Sequence, residues 1–352
     1  MRVLFLTRKW PPAIGGMETY SLELTRELKR DVDLTVHALP GRPDGTTPHA
    51  GAILGFAIRT GWQLLWERGH DVIHGADMAI WPLAMLARLR SPRATVVLSA
   101  HGTDVSFPAR RGLRPALYRA YLRLGARLLR RATVLANSRA TEKHTRAIGF
   151  LSIEVTPLGT RAFGGAAPVE TPESFILFAG RLIRRKGFAW FATEVLPLLP
   201  PEITMKVAGT VWDEDERGAL NSDRVTYLGP LDQGPLGELM ARAICVVIPN
   251  IPTGPGHFEG FGLVAVETAV AGGVVIASRM DGFTDSVLDD LTGFLVEPMS
   301  ATDWVAKINE VASWPPDVRR SFTDRASAKA RSYFAWERVA RKTIEIYRAA
   351  SG

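Results

Sequence analysis

The stretch His257-Phe258-Glu259-Gly260-Phe261-Gly262-Leu263-Val264-Ala265-Val266-Glu267 decides how the rest of this chain is read. The apolar run Val246-Val247-Ile248-Pro249 precedes it, and Thr268 to Ser278 (TAVAGGVVIAS) follows it. The order is therefore strand, loop, helix, loop, buried strand. Gly260 and Gly262 let the backbone turn sharply, which aims the amides around Phe261, Gly262 and Leu263 outward as the first turn of a helix. Unpaired amides at a helix N-terminus carry partial positive charge and form an anion site. Glu259 sits in the loop before that turn, and Glu267 lies deeper in the helix. A phosphate on those amides would have two carboxylates beside it, each able to accept hydrogen bonds from hydroxyl groups. Anion and polyol in one place suggest a nucleotide sugar.

Two glutamates seven residues apart, with Gly-Phe-Gly after the first, resemble the signature of the family 4 retaining glycosyltransferases of GT-B fold. Other segments match that family in the same order, so the resemblance covers nearly the whole chain. It implies an α/β architecture of two Rossmann-like, doubly wound parallel-sheet domains facing each other across a cleft. It also implies that Glu259 contacts the donor sugar and that Glu267 binds the ribose of the nucleotide.

Composition agrees with two globular domains. The chain has 352 residues, 46% hydrophobic and 22% charged, which suits a folded protein larger than one typical domain. Its single cysteine, Cys245, lies in the apolar run Ile244 to Ile248, so no disulfide forms within one chain. A buried, inert thiol in a reducing, cytoplasmic compartment is the expectation. The apolar run near the start stops at Lys9-Trp10-Pro11-Pro12, too short for a signal peptide or a membrane span. Charge is uneven: residues 1–165 carry 24 Lys+Arg against 12 Asp+Glu, a net of +12, and the remainder carries −5.

In chain order, Val3 to Thr7 reads as a strand buried on both faces, and Leu22, Leu24 and Leu28 continue it as a helix. Gly15 and Gly16 lie between them, where a glycine pair admits a phosphate or sugar. The Gly-x-Gly-x-x-Gly fingerprint is absent, which argues against a nicotinamide enzyme. Pro-Pro, a spacer and Gly-Gly-x-Glu resemble the family's first donor-facing loop. Val32 to Leu39 is a second strand, Ile53 to Arg68 a helix, and Asp71 to His74 a third strand. Thr95 to Ser99 ends in Ala100-His101-Gly102-Thr103-Asp104, at the carboxyl end of a strand, where doubly wound sheets hold ligands. By resemblance His101 lies beside the sugar ring and the β-phosphate, and Asp104 is an acceptor-side candidate. Thr133 to Ser138 is a further strand. At Pro157-Leu158-Gly159 the chain departs from the family pattern, so no acceptor role is assigned there.

Arg110 to Arg131 holds eight arginines, with Leu113, Leu117, Leu124 and Leu128 interleaved. Such a basic amphipathic helix is either a solvated face or a contact with anionic lipid heads or a phosphate-bearing acceptor. No nucleic-acid module accompanies it, which disfavours nucleic acid as a partner.

Gly164 to Pro172 (GGAAPVETP) marks the domain boundary. The expected domains are 1–165, on the acceptor side, and 170–335, on the nucleotide-sugar side. By the same resemblance a final helix near 336–352 crosses back to the first, with Phe334 and Trp336 anchoring it. Phe175 to Ala179 opens the second sheet and runs into Gly180-Arg181-Leu182-Ile183-Arg184-Arg185-Lys186-Gly187. Arg181 offers a fork for phosphate oxygens and Lys186 a point charge. This spacing resembles the family's diphosphate clamp, and Arg184 and Arg185, which lack a counterpart, read as solvated. Asp213-Glu214-Asp215-Glu216 reads as an exposed helix rather than a metal site, and no His/Cys cluster supports a structural metal. Asn250 to Phe258 reads as a rigid loop over the site.

The resemblance implies retaining transfer of a sugar from a UDP or GDP donor to an unidentified hydroxyl acceptor. No Asp-x-Asp metal motif sits at a strand end, so metal-independent transfer with no cofactor is the expectation. Arg181, Lys186 and the amides at Phe261 to Leu263 stabilise the leaving diphosphate, and Glu259 positions the sugar. A nucleotide-sugar epimerase and a non-catalytic nucleotide-sugar-binding protein of the same fold remain the alternatives.

Overall fold

Short apolar runs alternating with amphipathic stretches build parallel strands joined by helices. The computed structural model describes residues 1–351 apart from 14, 43, 161–168 and 170, so the linker read at Gly164 to Pro172 falls largely outside the described residues. The chain divides into two compact units, Met1–Gly159 with Trp336–Gly352, and Thr160–Ala335.

The first unit runs β1 (Arg2–Trp10), α1 (Gly16–Leu28), β2 (Asp33–Pro40), α2 (Ala50–Trp66), β3 (Val72–Gly75), α3 (Trp81–Arg90), β4 (Thr95–Ala100), α4 (Thr103–Ser106), α5 (Leu113–Leu128), β5 (Thr133–Ala136), α6 (Arg139–Ile148) and β6 (Ser152–Val155). Its parallel sheet has the order β2-β1-β3-β4-β5-β6, so strand order reverses between β1 and β3. Residues on one face of the strands, among them Leu4, Ile73, Val96 and Val134, share a core with α2, α3 and α5.

The second unit runs β7 (Phe175–Ala179), α7 (Phe188–Trp190), β8 (Thr204–Ala208), α8 (Glu214–Gly218), β9 (Val225–Gly229), α9 (Gln233–Arg242), β10 (Val246–Ile248), α10 (Leu263–Val270), β11 (Val275–Ser278), α11 (Phe283–Ser286), β12 (Phe294–Val296), α12 (Ala301–Ala312) and α13 (Pro316–Tyr333). Its order is β12-β11-β10-β7-β8-β9, with the reversal between β7 and β10. Loops leaving two such strands diverge and open a crevice at their carboxyl ends. Buried Arg319 of α13 donates to the carbonyls of Ile244 and Ala243 at 2.8 and 2.6 Å, holding the strand entry beneath the site. Cys245 is buried beside it, and burial pushes its thiol up to about 12. The acidic run is not wholly solvated, contrary to the reading from sequence. Glu216 is buried and accepts the Ala189 amide at 2.9 Å, because α8 turns that carboxylate toward α7.

The last helix, α14 (Trp336–Ser351), packs on α1 and β4 and so belongs to the first unit. Trp336 lies against Tyr20 and fills the space over Gly159, whereas Phe334 stacks edge-on against Phe261 within the second unit. A buried chain of hydrogen bonds adds a tie that the sequence did not reveal: Tyr347 to His74, His74 to Ser99, and Ser99 to Tyr20. Burial lowers the His74 pKa to about 3, which keeps the ring neutral.

Candidate active site

In the second unit, neighbouring strands bring together loops that are far apart in sequence. After β7 a single turn at Arg184–Lys186 ends at Gly187, whose φ of 69° is left-handed. A side chain at 187 would overlap the Pro249 carbonyl, so glycine lets this turn lie against the end of β10. The Ile251 amide then donates to the Arg185 carbonyl at 3.1 Å. As a result Lys186 Nζ stands 2.6 Å from Glu259 Oε2, and Arg185 Nη1 stands 2.7 Å from the same oxygen. Burial alone would raise the Glu259 pKa, but the charges of Lys186 and Arg185 outweigh it and hold the carboxyl at about 2. Lys186 is drawn below the ordinary lysine range by burial, with Glu259 opposing. The backbone of Glu259 is pinned as well: its amide donates to Asp281 Oδ2 at 3.1 Å, and its carbonyl accepts from Gly282 at 3.0 Å.

Arg185 is thus a correction to the sequence reading, which took both arginines of the pair as solvated. Only Arg184 is exposed; Arg185 is half-buried on Glu259. No signal within the sequence separates the two, since they are adjacent and identical. Arg181 is exposed, stacks its guanidinium 5.1 Å from the Trp212 ring and has no ion-pair partner among the described residues. It lies close enough to Lys186 to contribute to the lowering of that lysine's pKa. Three cations stand against the carboxylates of Glu259 and Asp281, leaving an excess of positive charge that suits an anionic diphosphate diester.

The tip of α10 sits beyond β10 on the same side of the sheet. Gly262 caps it with a φ of 85°, and a Cβ there would collide with the Phe283 ring. Phe261 is buried against Phe334, with ring centroids 5.9 Å apart, which fixes the entry to the helix. The amides of Leu263 and Val264 have no acceptor among the described residues, whereas Ala265 already donates to the Gly262 carbonyl at 3.0 Å. Glu267 follows one turn later. Burial pushes its carboxyl up to about 7, and no side-chain partner stands beside it among the described residues.

In the first unit, the other expected residues gather at the ends of β1, β3 and β4. Gly15 has extended backbone, and its lack of a side chain makes room for the Glu18 carboxylate, which in turn pairs with Lys9 at 3.3 Å. Gly16 is the first residue of α1. His101 uses Nε2 on the Ala76 carbonyl at 2.8 Å. A carbonyl only accepts, so Nε2 carries a proton, and in the neutral ring Nδ1 is the acceptor. That Nδ1 is buried and has no partner among the described residues. Tyr20 holds the ring edge-on, with centroids 4.5 Å apart. Asp104 accepts the His101 amide at 2.9 Å through one oxygen, while its other oxygen is buried without a partner among the described residues. Burial raises its pKa. The Arg8–Asp77 pair, in which Arg8 Nε donates to both carboxylate oxygens at 3.0 and 3.1 Å, stands at the same reversal of strand order; neither residue carried a motif. Among the described residues no group of three or more His, Cys, Asp or Glu side chains could hold a metal ion.

Two family models match the two halves in order. "Glycosyltransferase Family 4" matches residues 14–161, and "Glycosyl transferases group 1" matches residues 173–313. The chain belongs to glycosyltransferase family 4. A D-inositol 3-phosphate glycosyltransferase of Arthrobacter sp. (strain FB24) is 31% identical over 186 residues, covering 50% of this family 4 chain and 42% of the relative. The chain thus spans less than half the length of that relative. Glycogen synthase of Mycobacterium tuberculosis (strain ATCC 25618 / H37Rv) is 26% identical over 408 aligned positions, covering 99% and 95% of the two chains. Among solved structures, Anabaena Alr3699/HepE in complex with UDP and glucose superposes with a TM-score of 0.71 at 18% identity over 99% of both chains. Sucrose-phosphate synthase from Thermosynechococcus elongatus gives 0.73 at 20% identity, also over 99% of both. Both likenesses are of fold, and the family 4 chain has the GT-B architecture of two parallel α/β sheets.

Proposed function

We propose that this family 4 chain transfers a sugar from a nucleoside diphosphate sugar to an acceptor hydroxyl, with retention at the anomeric carbon and without a metal. The observation that supports it most is the convergence of Arg181, Arg185 and Lys186 with ionised Glu259 where β7 and β10 part. The diphosphate sits among these cations and on the amides of Leu263 and Val264. As the bond between anomeric carbon and diphosphate oxygen breaks, negative charge grows on the leaving group, and prealigned cations and amides favour that state. The acceptor oxygen bonds to the anomeric carbon from the same face, and its proton passes to the departing diphosphate. Glu259, too acidic to donate a proton, orients the sugar hydroxyls; His101 accepts a hydroxyl hydrogen at Nδ1, Gly15 and Gly16 leave room for the donor, and Asp104 serves the acceptor side.

UDP is the first donor nucleotide to test, because the Anabaena protein is solved with UDP and with UDP-glucose. A ligand that binds only the folded state raises the melting temperature. UDP or GDP, with or without a chelator, is therefore expected to raise it by several degrees. The cognate nucleotide sugar should then lose its sugar to an acceptor with the anomeric configuration kept. No shift with any nucleoside diphosphate would sink the reading.

Glu267 supplies a pH test. Its raised carboxyl must ionise to accept two ribose hydroxyls, so affinity should rise with pH and level off above about 7. For a single group titrating near 7, binding should tighten roughly tenfold between about pH 6 and 8. A nucleotide sugar is the right probe, since its diphosphate diester does not titrate there. Glu267→Gln should bind more weakly and flatten the profile; an unchanged profile removes the ribose assignment.

A further inference from the structure

Two helices of the first unit turn apolar rows to solvent. On α2, Leu54, Ile58, Trp62, Leu65 and Trp66 are all exposed, with Trp62 65% and Trp66 72% accessible. Their spacing of three and four residues puts them on one face, opposite the buried Phe56, Thr60 and Leu64. On α5, Leu113, Leu117, Leu124 and Leu128 form a second exposed row, opposite the buried Pro115, Leu122 and Ala126. The two helices flank α3, whose Leu89 is 63% exposed, and all three pack on the same face of the sheet. Reading from sequence singled out α5 by its arginines; α2, with Arg59 as its one charge, carried no such signal.

We propose that the outer face of α2, α3 and α5 docks on the surface of an anionic lipid bilayer. Exposed apolar rows on neighbouring helices of a globular unit mark an interaction site. Charge selects the occupant. From Val105 to Thr141 the chain has nine arginines and no Asp or Glu. Arg114, Arg123 and Arg127 border the α5 leucine row, while Arg88 and Arg90 stand beside Leu89. A second copy of this chain would bring arginines against arginines, whereas anionic headgroups neutralise them. Nucleic acid would meet the same arginines but would leave Leu54, Ile58, Leu113 and Leu117 against a polar backbone. Apolar rows flanked by arginine and tipped by tryptophan suit helices lying in the plane of the lipid interface. Among the described residues no helix is long and apolar enough to cross a membrane, so the contact is peripheral in form. This surface goes beyond the transfer reading and stands without it, because partition requires no nucleotide.

The test is co-sedimentation of the full chain with phosphatidylcholine vesicles, with and without phosphatidylglycerol, at low and high salt. Binding is expected only with the anionic lipid, and weaker at high salt, since exposed charges are screened over a Debye length of about 10 Å at 0.1 M. Each arginine near an anionic surface is worth roughly a fivefold change in partition, so Arg123→Glu with Arg127→Glu should weaken binding by more than about 25-fold. Trp62→Ser with Trp66→Ser should lower it at least tenfold by the apolar contribution, with melting temperature and nucleotide affinity unchanged. The proposal fails if wild type ignores anionic vesicles at low salt, or if the tryptophan variant binds them equally well. It also fails if light scattering shows a dimer that the tryptophan variant dissociates, since a second copy then covers the face.

Discussion

Lys186→Ala is expected to lower turnover by about 10²–10³-fold while the protein still folds, the loss seen when one prealigned donor to developing negative charge is removed. Folding should survive because Glu259 keeps its second partner, Arg185, at 2.7 Å. The carboxyl of Glu259 should rise from about 2 as one of its two cations goes. Its sign is that of a depressed acid: the stability it contributes is present above the unfolded carboxyl value and is lost as pH falls toward about 2. Lys186→Ala should therefore also shift the acid limb of a melting-temperature profile to higher pH. Glu259→Ala makes the contrast, because it leaves two half-buried cations facing each other and should destabilise the fold as well as stop transfer. Kinetics with the cognate donor, together with melting curves, separate the two. Full transfer by a folded Lys186→Ala enzyme would falsify the clamp.

Gly262→Ala is expected to weaken nucleotide binding more than tenfold and to lower the melting temperature. A left-handed non-glycine residue costs about 1–3 kcal/mol before any clash is counted. The new methyl would also drive into the ring of Phe283, which is fully buried and has no room to retreat. The tip of α10 must then shift, carrying the amides of Leu263 and Val264 out of line with a diphosphate. Gly262→Asn tolerates the backbone angle better but not the space, so it should bind no better than alanine. Calorimetric affinities for the donor nucleotide check both; wild-type affinity in the alanine variant would show that the helix tip does not hold the ligand.

Much of the second unit was legible because its determinants are local. Gly260, Gly262 and the apolar run after them specify a loop, a helix start and a strand in one short stretch, and α10 and β11 form there. The same holds for Phe175 to Ala179, which becomes β7 with the limits read from the sequence. Reading failed where a residue's surroundings come from elsewhere in the chain. Arg184 and Arg185 are chemically identical neighbours, and only the turn beneath β10 sends one to Glu259 and the other to water. Glu216 looked solvated because its run is acidic, yet the placement of α7 gives it an amide to cap. A helix from Ile53 to Arg68 is legible in the sequence and forms as α2, but the sequence does not say that the face bearing Trp62 and Trp66 stays bare.

The sequence by itself determined the alternation of strands and helices, the glycine-bordered start of α10 and the cations that follow β7, since each depends on residue type and short spacing. The tertiary structure alone decided that Lys186 and Arg185 share one oxygen of Glu259 and which of His101's nitrogens is left to accept. The physical reason is that β7 and β10 become neighbours only through hydrogen bonds between strands some seventy residues apart. The charge balance at their ends belongs to that pairing and to neither segment alone.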